Sequence, residues 1–147
     1  MTRRLRFRPA LAPLLAIVVL QGCASVAPGS DPVVVRTEQA LKASDEIYRQ
    51  AMEFWFTPGV APALSTPVSK ALEAVRVGFD PAYKAVQGTL DTYKALSRAL
   101  KPDATAAQRD AVESARSELI AKRTDLALLV NQVAPALPRK PKPVEVQ

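Results

Sequence analysis

Apolar residues recur along this chain at helical spacing and nowhere at the alternating spacing of a strand. From Pro32 onward, Val34, Leu41, Tyr48 and Trp55 return every seven residues, with Val33, Ala40, Ile47 and Phe54 beside them. Ala51 joins that face, while Arg36, Lys42, Glu46, Arg49 and Glu53 fall mostly elsewhere, as in a helix with one side packed. Asp31-Pro32 supplies an N-cap followed by a proline in the first turn, where its missing N–H costs nothing. A first helix over 32–56 is predicted, stopped by Thr57-Pro58-Gly59.

Thr66-Pro67 repeats the cap-and-proline pattern. Val68, Leu72, Val75 and Phe79 start a second stripe, and Val86, Leu90, Tyr93, Leu96 and Leu100 continue it. Between the two halves Asp80-Pro81 removes a helical hydrogen bond, so 67–100 is expected to be one helix, broken or kinked near Pro81. Thr105 and Gln108 have the spacing of a capping box. Val112, Ala115, Leu119, Leu126, Leu129 and Val133 then predict a third helix over 106–133. Three amphipathic helices with short connections make an all-α, antiparallel three-helix bundle over 32–134. The prolines at 135, 138, 141 and 143 forbid helix beyond it and favour an extended tail, 135–147, leaving the bundle with Arg139, Lys140 and Lys142 exposed, either as a solvated terminus or as a partner contact for an acidic surface such as peptidoglycan.

Composition agrees with helix, since alanine is abundant and only 5 residues are glycine. The chain has 147 residues, enough for one domain. It has no His and one Cys, which removes the commonest general base, an internal disulfide and a thiolate metal site. Asp45-Glu46 and Asp110 with Glu113 are the closest acidic groupings, and each sits beside basic residues as a solvated helix face does. Catalysis, a metal and a cofactor are therefore not expected. Phe54-Trp55-Phe56 is the concentrated apolar feature outside the stripes. Consecutive helical residues fan around the axis, so they cannot all enter one narrow core. Phe54 and Trp55 are expected inward, with Phe56 covering the bundle end under the 57–66 loop. Alternatively the three form a contact for a partner or a second copy, because aromatic anchors dominate interfaces.

The N-terminal segment carries a different kind of information. Arg3, Arg4, Arg6 and Arg8 precede an uncharged stretch, Ala10 to Leu20, which is the pattern of a secretory signal. Eleven helical residues span only ~16 Å, about half of a bilayer core, so a permanent span is not expected. Without the four arginines of residues 1–22 the 20 basic residues become 16 against 14 acidic ones. Arg139, Lys140 and Lys142 against Glu145 account for that remaining excess. The basic balance lies in signal and tail, so nucleic acid is not an expected partner.

Leu20-Gln21-Gly22-Cys23 resembles the lipobox of bacterial lipoproteins. The resemblance implies a signal peptide over 1–22, lipidation of Cys23 with fatty acids such as palmitate, and a tether over 23–31. It also implies outer-membrane placement facing the periplasm, because Ala24 is not the aspartate that retains lipoproteins at the inner membrane. Several acyl chains would hold the protein durably where one holds only marginally. Asp31-Pro32-Val33-Val34-Val35 with Glu38-Gln39-Ala40-Leu41 resembles the opening of small helical envelope lipoproteins, some of them prophage-associated.

Two functions are compatible with that anchor. One is a structural or protein-interaction role in the envelope, with another envelope protein, peptidoglycan or a second copy as partner. The other is a phage-derived, spanin-like lysis role, which the anchor and the proline content resemble. Adjacent holin or endolysin genes would mark the second.

Overall fold

The computed structural model describes residues 30–138, 141 and 143–145. Helix α1 spans Pro32–Phe56, α2 spans Thr66–Ala99 and α3 spans Ala106–Asn131. Short 3-10 turns follow at Ala61–Ala63 and Ala134–Ala136. The three long helices pack on one another as an all-α bundle, with no strand among the described residues.

The helix ends follow the local chemistry. The Asp31 side chain accepts from the Val33 amide at 2.8 Å and caps α1. The α1–α2 connection turns at Gly59, whose φ of 83° lies in the left-handed region that a side chain disfavours. Helix α2 begins at Thr66, the predicted cap, one residue earlier than expected. Ser65 is its N-cap and makes no side-chain capping bond. At α3 the capping box is complete: Thr105 Oγ1 accepts from the Gln108 amide, and Gln108 Oε1 accepts from the Thr105 amide at 2.9 Å. Two orphan donors of the first turn are thereby satisfied.

Pro81 does not break α2, which runs through it. Leu72, Val75 and Phe79 before it and Val86, Leu90 and Tyr93 after it share one buried face. That common packing offsets the lost hydrogen bond, while Pro81 itself and Val77, one turn earlier, are exposed.

Cross-helix contacts fix an up-down-up arrangement. Glu38 of α1 pairs with Lys94 of α2 at 2.6 Å, and Tyr48 of α1 stacks on Phe79 of α2 with ring centroids 4.0 Å apart. Thus α1 and α2 run antiparallel. Gly78 of α2 faces Leu129 of α3, where an added Cβ would lie 3.2 Å from a Leu129 methyl. The missing side chain lets α2 and α3 approach closely at that level.

The core runs the length of the bundle. Ile47, Leu72, Val75, Val86, Leu119, Leu126, Val130 and Val133 are its most enclosed aliphatic residues. On α1 the buried line is Val33, Ala40 and Ile47, with Leu41 and Ala51. The neighbouring line of Val34, Tyr48 and Trp55 is only half-buried. Three polar residues enter the core as well: Thr37, Ser44 and Arg123. Thr37 donates its hydroxyl to the Val33 carbonyl at 2.8 Å, so it needs no partner across the bundle.

The tail departs from expectation. The prolines do end the helix, but Leu137 and Val144 are buried in the core cluster. The described part of 135–147 lies against the bundle instead of leaving it, because two apolar side chains gain more by packing than by solvation. Arg139, Lys140 and Lys142 lie outside the described residues.

Candidate functional site

Leu20, Gln21, Gly22 and Cys23, the positions that resemble a lipobox, also lie outside the described residues. The bundle begins at Asp31, close behind them in sequence, and that end is tightly tied. Asp31 Oδ2 accepts from the Tyr93 hydroxyl at 2.6 Å, joining the start of α1 to the second half of α2. Burial alone would raise the Asp31 carboxyl. The Tyr93 hydroxyl, the Val33 and Val34 amides and the Arg116 charge outweigh it and hold the group below its ordinary value. Tyr93 is pushed up by burial and by the same carboxylate. The Glu38–Lys94 pair adds a second polar link nearby.

The opposite end is different in kind. No charged residue occurs between Glu53 and Lys70. Phe54 and Trp55 are half-buried and pack against the core cluster. Phe56 is 70% exposed, so it does not cover the bundle end. The reason is rotational: one step of ~100° past Trp55 carries Phe56 off the packed side, and the connection turns away at Gly59. A shallow cleft of about 250 Å³ adjoins this end, lined by Gln50, Glu53, Phe54, Thr57, Leu137 and Pro138. The sequence identified the aromatics but not the cleft, whose second wall comes from the tail.

The acidic groupings are surface features. Glu46 contacts Arg49 and accepts from Gln50 Nε2 at 2.8 Å, and Asp45 lies 3.6 Å from Arg49. Glu113 pairs loosely with Arg116 at 3.4 Å. Glu73 and Arg76 form a two-bonded pair at 2.6 and 2.8 Å, which lowers the carboxyl and raises the guanidinium. All are single-turn pairs on open helix faces, of small energetic weight. Among the described residues no group of three His, Cys, Asp or Glu could hold a metal ion. No described helix is long and apolar enough to cross a membrane.

Arg123 is a residue the sequence reading missed. It is 5% exposed on the inner face of α3. Burial pushes its guanidinium down from the usual range, and the positive charge of Arg36 on α1 adds to the effect. Its signal was positional. It stands four residues after Leu119 and three before Leu126, squarely on the predicted stripe. No protein family, curated protein or solved structure matches this chain.

Proposed function

We propose that this chain is a lipid-anchored protein of the cell envelope with a structural or protein-interaction role. The observation that carries the proposal is Leu20-Gln21-Gly22-Cys23 directly after a basic and then an apolar segment. In this reading Cys23 carries the lipid, residues 23–31 are the tether, and the bundle starts where Asp31 at the tether's end is bonded to both α1 and α2. Ala24 directs the protein to the outer membrane, facing the periplasm. The exposed Phe56, with Trp55 and Phe54 beside it, forms the partner-facing end.

That end stands away from the anchor. A 25-residue helix rises ~37 Å, so Phe56 is displaced from Asp31 by most of the bundle's length. An exposed aromatic next to half-buried ones is the composition of an interface hot spot, where a partner excludes water from a surface that is already packed on one side. The partner is an envelope protein, peptidoglycan or a second copy.

Metabolic labelling with a palmitate analogue tests the anchor. The wild-type chain, expressed with its first 22 residues in a bacterium with two membranes, is expected to incorporate label and fractionate with membranes. Cys23→Ala is expected to do neither. An unlabelled, soluble wild-type protein would remove the anchor and with it the envelope assignment.

A further inference from the structure

The described part of the tail is held by a specific seat. Val144 is 5% exposed and lies in the core cluster, while Pro143 and Glu145 on either side are exposed. Its backbone meets one side chain twice. The Val144 amide donates to Asn131 Oδ1 at 3.0 Å, and the Val144 carbonyl accepts from Asn131 Nδ2 at 3.0 Å. A carboxamide that accepts and donates at once offers an extended residue the same pair that a neighbouring strand would offer. Backbone bonds of that kind hold any extended residue, and the pocket beneath selects the side chain, here a small β-branched one.

None of these contacts requires the tail to come from the same chain. Pro138, Pro141 and Pro143 lie between Leu137 and Val144, and a proline ring holds φ near the value of an extended chain. Contacts that are identical within and between molecules make exchange of a terminal segment cheap, its cost being mainly that of association. The tail seated against Asn131 defines the chemistry of the occupant.

We propose that the Asn131 seat is an acceptor for an extended segment and that its occupant between molecules is the tail of a second copy, exchanged reciprocally. This assignment is independent of the lipid anchor. Within one chain the tail competes at an effective concentration in roughly the millimolar range, so the wild-type seat is largely filled by its own tail.

The test uses the full chain and a fluorescent peptide with the sequence of residues 138–147, followed by anisotropy. Val144→Asp cannot seat its own tail and is expected to bind the peptide at least about tenfold more tightly than wild type does. A peptide carrying the same Val144→Asp change is expected not to bind, and Asn131→Ala is expected to lose binding altogether. Circular dichroism checks that the helices persist, and Val144→Ser replaces Val144→Asp should helix be lost. Sedimentation equilibrium of the wild type is expected to reveal a dimer at high concentration that Asn131→Ala does not form. Failure of the folded Val144 variant to bind the peptide, or equal binding by wild type, would overturn the acceptor site. A wild type that stays monomeric up to millimolar concentration would overturn the second copy as its occupant.

Discussion

The two ends of this bundle solve opposite problems. At the start of α1, charged and polar groups are satisfied by one another: Asp31 by Val33 and Tyr93, Glu38 by Lys94. At the other end, from Phe54 to Ser69, there is no charge to satisfy, and Phe56 is left 70% exposed. A polar network fixes position because each member loses energy when its partner moves. An apolar surface fixes nothing until something covers it. The first end holds the chain in place, and the second leaves an aromatic surface uncovered.

The most damaging way to break the comparison is to remove what joins the two ends. Leu119 is fully enclosed at mid-bundle, and Leu119→Ala should cost ~2–5 kcal/mol, lost transfer energy plus a residual cavity. Urea unfolding followed by circular dichroism should show one transition at a much lower midpoint. Two separated transitions would mean that the ends are independent units.

A smaller effect belongs to the tied end alone. Tyr93→Phe keeps the ring but removes the hydroxyl from Asp31, and should cost ~1 kcal/mol at neutral pH. The sign with pH follows from the lowered Asp31 carboxyl. Its contribution is complete above the ordinary carboxylate value of 3.8 and is lost as pH falls through the lower folded value. The gap between wild type and Tyr93→Phe should therefore be widest near neutrality and close on acidification, read from urea midpoints at several pH values. A gap unchanged in acid would show that Tyr93 acts by packing only.

At the open end the expected change in stability is smallest. Phe56→Ser should shift the unfolding free energy by no more than ~0.5 kcal/mol, since little of the ring is buried. Binding of a hydrophobic dye to the folded protein should fall with it. A large destabilisation would mean that Phe56 supports the fold.

The elements that were legible in sequence are those with local causes. Asp31-Pro32 and Thr105 with Gln108 begin helices where their side chains can meet nearby amides, and both do so. What periodicity left open was rotation. The spacing marked Val33, Ala40 and Ile47 and Val34, Leu41, Tyr48 and Trp55 as adjacent lines without ranking them. The rank is set by two neighbouring helices: Tyr48 turns to stack on Phe79 while Ile47 faces inward. Polar residues on the stripe were misleading for a related reason. Thr37 hides its hydroxyl on its own helix, and Arg123 is enclosed despite its charge. Ser44 is enclosed too, and its hydroxyl finds no hydrogen-bond partner among the described residues. The seat of Val144 could not be read at all, because Asn131 and Val144 carry no pattern linking them until α3 ends and the tail folds back. For the proposed lipobox the position is reversed: the sequence alone speaks for Cys23.

Trp55 has one more consequence. It is the chain's single tryptophan, half-buried at the open end and far from Asp31. Its emission is therefore a built-in gauge of that end. Covering the surface around Phe56 should move the emission toward the blue and protect it from a soluble quencher. Events confined to Tyr93 should leave the same signal unchanged, so native fluorescence can separate the two ends without any label.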